Sequence, residues 1–114
     1  MTEIHGIARM KIHPGKLDEF KWLSAKCMEL ARAKDTGTLH YDTYFNSDET
    51  ECLVHEHYRD SESLIAHMEH MGETMAAILA TCTAEGEILG NPSPELRKMM
   101  EGSPVRIFTP HQSI

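Results

Sequence analysis

The sequence contains few cysteines, and their number and spacing exclude two classes of site. Cys27, Cys52 and Cys82 are odd in number and lie far apart among 114 residues, so they form neither a disulfide framework nor a CxxC site. Each lies on an apolar stripe, where a thiol behaves as a small buried hydrophobic group. We therefore expect reduced, buried thiols and a cytoplasmic protein.

Basic residues and long apolar runs are also scarce. Eleven Lys and Arg against 18 Asp and Glu give a net charge of −7, and the basic residues are scattered along the chain. Without a basic patch that displaces counterions from phosphates, nucleic acid is not an expected partner. No run approaches the roughly 20 apolar residues that span a bilayer. Because Met1 to Ile12 alternates and carries charge, we expect neither a signal peptide nor a membrane partner.

The length and composition that remain are those of one globular domain. Hydrophobic residues make up 40% of the chain and charged residues 25%, which is typical of folded proteins. A chain of 114 residues is long enough for one hydrophobic core. We predict a single domain over residues 1–114, with its core in 3–90 and a C-terminal extension in 91–114.

Hydrophobic periodicity divides the first third of the chain into a strand and a helix. Residues 3–13 alternate between an apolar and a more polar face, which predicts a half-buried strand that Pro14-Gly15 ends. In residues 16–34, apolar side chains recur every three or four positions, which predicts an amphipathic helix. Asp35-Thr36-Gly37 stops this helix, and we expect Gly37 to take the left-handed conformation there.

The next segment predicts a β-hairpin followed by a second helix. TLHYDTYFN and ECLVHEHYR alternate on either side of the short turn SDET. Asp60 or Ser61 is a good N-cap for a helix whose apolar stripe runs from Leu64 to Cys82. Gly72 inside this stripe favours a break. A fourth strand follows, roughly over 84–89.

The order of these elements predicts one architecture. The element order βαββαβ is that of a ferredoxin-like α+β sandwich, with both helices on one face of the sheet. The other face carries Ile or Leu beside His, and we expect a second subunit to cover it in a face-to-face homodimer. Ser93-Pro94-Glu95 starts a short helix in the extension, and residues 104–110 form a last extended segment.

Three stretches of the sequence resemble one known family. They are PGKLDEFKWLSAK, TGTLHYDTYFNSDE and LVHEHYRDSESLIAHMEH, and they include Gly37, Tyr41, the Glu56-x-Tyr58 pair and His67. Over residues 3–90 the chain is similar to the antibiotic biosynthesis monooxygenase (ABM) family of dimeric α+β barrels. The resemblance implies a homodimer that oxidises a small reduced aromatic molecule or quinol without a cofactor.

The chain also differs from two branches of the family at characteristic positions. The haem-degrading branch has an Asn on the first strand, and a Trp and then a His on the second helix. These positions fall on Ala8, His67 and Ala77 here, so we expect no haem degradation. The monooxygenase branch often has a Trp near the start of the second helix, whereas Trp22 in this chain lies on the first helix.

The family's ligand pocket lies between the sheet and the helices, where His67 borders the apolar stripe. A neutral His, with an unperturbed pKa of about 6.5, can take the proton of a phenol and make it electron-rich. We predict that His67 is catalytic and that the substrate contacts Tyr41, Tyr58, Trp22, Glu56 and Met71. Alternatively, His67 is a partly exposed helix residue bonded to a nearby carbonyl or carboxylate, in a non-catalytic ligand-binding or structural dimer.

Histidines on the hairpin leave a third interpretation open. If Asn46 pairs with Glu51, His40 lies opposite His57 and Asp42 opposite His55, with Cβ atoms about 5 Å apart. Two His and a carboxylate suit Zn, Mn or Fe(II), which suggests a metal-dependent enzyme. The alternative is a hydrated polar face or a dimer seam. Glu56, on the opposite face, is expected to pair with Arg9 or Arg106, or to serve the pocket.

Overall fold

Nearly every predicted element is present in the computed structural model, which describes residues 2–114. The elements are β1 (Ile4–Ile12), α1 (Leu17–Lys34), β2 (Thr38–Phe45), β3 (Glu51–Tyr58), α2 (Ser61–Met71), α3 (Glu73–Leu79), β4 (Cys82–Leu89), α4 (Pro94–Met100) and β5 (Val105–Phe108). The predicted ferredoxin-like α+β fold is therefore confirmed, with the short helix and strand of the extension added to it.

The strands form one mixed sheet in the order β2-β3-β1-β4-β5. The first four pair antiparallel, and β5 joins the free edge of β4 in parallel. The hairpin has the register in which Asn46 pairs with Glu51, because the backbone N–H of Asn46 donates to the carbonyl of Glu51 at 3.2 Å. His40 consequently lies opposite His57, and Asp42 opposite His55.

The helices cover one face of the sheet, and the core lies between them. Phe20, Leu23, Cys27 and Ala31 of α1 pack in one apolar cluster with residues of β1, β3 and α2. The cysteines of the chain are free and buried, as predicted. Within residues 2–114, no helix combines the length and the apolar character that crossing a bilayer requires.

Two glycines that lie after helices are needed for different reasons. Gly72 has a φ of 47° and separates α2 from α3, so the predicted break is confirmed. The prediction of a left-handed Gly37 is wrong, because Gly37 is not among the residues with positive φ. A Cβ at Gly37 would lie 1.9 Å from Oγ of Ser63, so glycine is required there by the close approach of α2.

Two boundaries in the second half of the chain differ from the prediction. Cys82, assigned to the helical stripe, is the first residue of β4, which begins two residues before the predicted start at Ala84.

The C-terminal extension packs on its own chain, through a fully buried Leu96 and the pairing of β5 with β4. Ser93 caps α4 as predicted, its Oγ accepting from the backbone N–H of Leu96.

Candidate functional site

A cavity of about 330 Å³ lies between the covered face of the sheet and α2, α3 and the turn from α4 to β5. Its floor is made of small residues on two neighbouring strands, Gly6 and Ala8 of β1 and Ala84 and Gly86 of β4. Because these side chains are short, the helices above them leave a space that larger residues would fill. The volume is within the range of about 300–1,000 Å³ found for small-molecule sites.

Most of the cavity wall is apolar, with two ionisable groups at one side. The helices contribute Leu64, Met68 and Met75 to the wall. His67 of α2 contributes an imidazole, and Glu56 of β3 contributes a carboxyl group. An apolar wall with a few convergent polar groups is the usual form of a ligand site.

Asp35 holds His67 in place from behind. Its side chain is only 3% exposed, and its carboxylate accepts from Nδ1 of His67 at 2.7 Å and Nδ1 of His70 at 2.6 Å. Thr38 Oγ1 donates to the same carboxylate at 2.7 Å. An ionised carboxylate only accepts, so both histidines carry a proton on Nδ1.

The charge on Asp35 is stabilised by these three donors. Burial raises the pKa of Asp35, but the hydrogen bonds from His70, His67 and Thr38 outweigh burial and hold it below its usual value. The carboxylate is therefore ionised at neutral pH. Since it fixes Nδ1 of His67, Nε2 is the ring nitrogen left to accept a proton on the side of the cavity.

Two tyrosines stand behind the ionisable groups of the cavity wall. The rings of Tyr41 and Tyr58 have their centroids 5.0 Å and 5.4 Å from that of His67, and Tyr58 is fully buried. The prediction that they line the cavity is corrected, because they support His67 and Glu56 from behind. Burial is the main cause that raises the pKa of both tyrosines, followed by the nearby Cys27 for Tyr41 and by Glu56 for Tyr58, so both stay neutral phenols.

Glu56 receives a hydrogen bond from Tyr58, and within residues 2–114 it forms no salt bridge. Burial raises the pKa of Glu56, and the Tyr58 hydroxyl and the nearby His67 oppose this only in part. The expected pairing with Arg9 or Arg106 is wrong. Arg9 binds Glu87 at 2.5 Å and the Arg106 guanidinium lies over the ring of Phe108, because alternation along the strands places both arginines on the other face.

The structure does not bring two of the predicted substrate contacts to the cavity. Trp22 is 65% exposed on the outer side of α1, with Lys26 Nζ 5.6 Å from its ring centroid. Met71 is 1% exposed and packs in the core cluster that contains Phe20. Met68 and Met75, one turn away on either side, line the cavity instead.

Asp35 is the residue that sequence reasoning missed. The sequence pattern assigns it only to the stop after the helix, whereas in the structure it is the C-cap of α1 and carries a negative charge there. The negative end of a helix dipole favours cations, so an acidic residue at this position was a signal that some other group compensates it.

The hairpin histidines lie on the uncovered face, opposite the cavity. His40 Nδ1 approaches Asp42 Oδ2 at 4.0 Å, and the rings of His40 and His57 stack with centroids 5.8 Å apart. His5 of β1, which lies outside the hairpin, is closer to His57, at 3.9 Å between centroids. Burial, then the neighbouring His57 and His55, lowers the pKa of His5.

Comparison with known proteins adds a family and a fold. The family model described as antibiotic biosynthesis monooxygenase matches residues 4–80. No curated protein compared with the chain matches it.

Similar solved structures include three from bacteria. MupZ from Pseudomonas fluorescens has a TM-score of 0.87 at 20% identity, covering 100% of this chain and 94% of that one. Rv0793 from Mycobacterium tuberculosis has a TM-score of 0.70 at 24% identity, covering 81% and 97%. SnoaB from Streptomyces nogalater, a cofactor-independent oxygenase, has a TM-score of 0.69 at 16% identity, covering 82% and 96%. At these identities the likeness shows the fold alone.

The buried carboxylate generates a prediction about stability. Asp35→Asn removes the charge that three donors share, and we expect a loss of about 1.5–3 kcal/mol in the free energy of unfolding by urea at neutral pH. Because the folded-state pKa of Asp35 is lowered, its contribution is complete above the unfolded value of 3.8 and is lost as the pH falls through the lower folded value. The gap between wild type and variant should therefore close only in acid.

A matched control for this change is Asp42→Asn, since the Asp42 side chain is 49% exposed. We expect this variant to stay within about 0.5 kcal/mol of wild type. Equal stability of Asp35→Asn and wild type at neutral pH would contradict the structural role given to Asp35.

Proposed function

Since this chain belongs to the antibiotic biosynthesis monooxygenase family, we propose that it is a cofactor-independent monooxygenase of a small reduced aromatic or quinol substrate. The observation that carries the proposal is the apolar cavity with His67 on its wall, oriented by the buried carboxylate of Asp35. SnoaB, which shares the fold, is described as a cofactor-independent oxygenase.

The first step of the proposed reaction is removal of a proton from the substrate. A phenolic hydroxyl, or the acidic C–H of its keto form, gives its proton to Nε2 of His67. The imidazolium that forms is paired with the Asp35 carboxylate through Nδ1, which stabilises the charge in a buried site. His67 is thus the proposed catalytic base, and Asp35 is a positioning residue.

The substrate itself supplies the electrons for the second step. The anion transfers electron density to O₂, and a CH₂ group that becomes C=O loses four electrons while O₂ takes up four. One oxygen atom enters the substrate and the other leaves as water with the two hydrogens removed. The balance closes without an external reductant, and the apolar wall excludes bulk water from the anion.

Glu56 assists the developing oxygen anion in this proposal. Its raised pKa favours the neutral acid, which donates a hydrogen bond that a carboxylate cannot. The Tyr58 hydroxyl occupies one oxygen of Glu56 and so holds the carboxyl group against the cavity wall. We assign Glu56 to substrate binding, with Tyr58 and Tyr41 supporting the wall.

The C-terminal extension completes the cavity and, in this proposal, belongs to the same domain as residues 3–90. Met100, Ser103, Pro104 and Val105 form one wall of the cavity. The backbone N–H of Gly86 donates to the carbonyl of Pro104 at 3.3 Å and ties this wall to the floor. The extension lies beyond residues 4–80, so it gives this chain a wall that the family match does not include.

We also propose a homodimer formed through the uncovered face of the sheet. Tyr44, Leu53, Leu89 and Phe108 on this face are exposed by 55%, 38%, 36% and 43%. Exposed apolar side chains on an uncovered sheet face favour association with another copy of the chain.

Oxygen uptake by the pure protein tests the main proposal. We expect uptake on a panel of anthrones, naphthols and quinols that persists with a chelator and falls about 100-fold or more in His67→Gln. The matched control is His70→Gln, because His70 also donates to Asp35 but does not line the cavity. This control should lose at most a few-fold.

Three results would contradict the proposal in different ways. Uptake that disappears with the chelator would indicate a metal-dependent enzyme. Uptake no faster than the spontaneous rate would favour a non-catalytic ligand-binding or structural dimer. Equal losses in His67→Gln and His70→Gln would show that the shared carboxylate, and not the base at the cavity wall, limits the rate.

The wall formed by the extension generates a prediction about substrate size. Met100→Ala removes three heavy atoms from this wall, and we expect kcat/KM to rise for substrates one ring larger relative to the smallest active one. Met99→Ala is the control, since Met99 is 44% exposed and does not line the cavity. An unchanged size preference in Met100→Ala would contradict the role of the extension.

The proposed dimer is tested by light scattering on the purified chain at micromolar concentration. We expect a dimer for the wild type and a monomer for Leu53→Asp, since a buried unpaired charge opposes association. Trp22→Asp, on the helical side of the molecule, should remain a dimer. A monomeric wild type would contradict the face-to-face assembly.

A further inference from the structure

Three potential metal ligands converge at one end of the uncovered face. His5 of β1 lies directly opposite His57 of β3, and Glu3 precedes β1 on the same side. One ligand atom from each of Glu3, His5 and His57 lies within 4.8 Å of the others. His57 Nε2 is already 2.5 Å from Glu3 Oε1. Among the residues that the structure describes, no other group of three does this.

We propose that Glu3, His5 and His57 bind a divalent transition-metal ion of the Zn²⁺ type. Two imidazoles and a carboxylate form a ligand set that Zn²⁺ accepts in tetrahedral geometry, with water in the fourth position. The set differs from the hairpin set of His40, Asp42, His55 and His57 in taking its second histidine from β1.

The backbone is already arranged for this ion, and only side chains must turn. The two imidazole rings stack with centroids 3.9 Å apart and 11° between their planes. The lone pairs of their nitrogens are therefore nearly parallel and do not point at one common ion. Rotation of one ring about its Cα–Cβ and Cβ–Cγ bonds brings both nitrogens to a common point. The Glu3 side chain is 47% exposed in the single subunit and lies before the first residue of β1, so it is free to follow the ring.

The proposed ion lies on the opposite side of the sheet from the cavity. Gly6 follows His5 in β1, and Glu56 precedes His57 in β3; both Gly6 and Glu56 line the cavity. Because side chains alternate along a strand, the neighbouring histidines point away from it. The ion would therefore fix β1 to β3 without contacting the substrate, and the site is independent of the proposed oxygenase reaction.

Zinc titration of the full chain tests this site. Untagged protein is treated with a chelator, dialysed and titrated with ZnCl₂ by calorimetry at neutral pH, with thermal unfolding measured in parallel. We expect one ion per chain and a rise in the unfolding midpoint. His5→Ala, His57→Ala and Glu3→Gln should each lose at least about tenfold in zinc affinity, because even loss of a group that only supports a metal ligand has an effect of this size. The last of these is an exposed residue, so its loss does not threaten the fold.

The controls separate this site from other histidines. His13→Ala and His40→Ala should bind zinc as the wild type does, because neither residue belongs to the cluster. Binding lost in His40→Ala and retained in His5→Ala would replace the proposed set by the hairpin set. No heat and no shift in the unfolding midpoint at millimolar zinc would overturn the proposal outright. Chelator-resistant oxygen uptake is compatible with either result, so this test and that of the oxygenase fail separately.

Discussion

The buried carboxylate of Asp35 is the group on which the arrangement of this site depends. It lies at the end of α1, accepts a hydrogen bond from the start of β2, and accepts two more from histidines one turn apart on α2. Three elements that are distant in sequence are thereby joined at one point. Because an unpaired charge in this position would be strongly destabilising, the three donors and the carboxylate must be kept together. The orientation of the His67 ring follows from that requirement.

The sheet separates two kinds of chemistry because its residues alternate. On the covered face the small residues Gly6, Ala8, Ala84 and Gly86 leave a cavity that an imidazole and a carboxyl group border. On the uncovered face the same strands carry stacked imidazoles with apolar neighbours. A change of register by one residue would move the side chains of a strand to the opposite face of the sheet. The turn that pairs Asn46 with Glu51 therefore fixes which residues of the hairpin lie on each face.

Local pattern was sufficient for the fold and for part of the site. Alternation and turn chemistry predicted the hairpin, the break at Gly72 and the cap at Ser93, because each depends on a few neighbouring residues. The contacts of Asp35 and the exposure of Trp22 could not be predicted in this way, because they depend on how α1 rotates against α2. Met71 was mistaken for Met68 or Met75 for the same reason: periodicity finds the buried stripe of a helix but not which of its residues border a void.

The parallel strand β5 has a consequence for how the folded chain meets other chains. Without it, β4 would present a row of unpaired N–H and C=O groups at the edge of the sheet, and such edges invite pairing with strands of other molecules. β5 is only four residues long and carries Arg106, and both features make it a poor template for a further strand. At the other edge β2 carries His40 and Asp42, which are polar and exposed. The segment that walls the cavity therefore also protects the molecule against aggregation through its sheet.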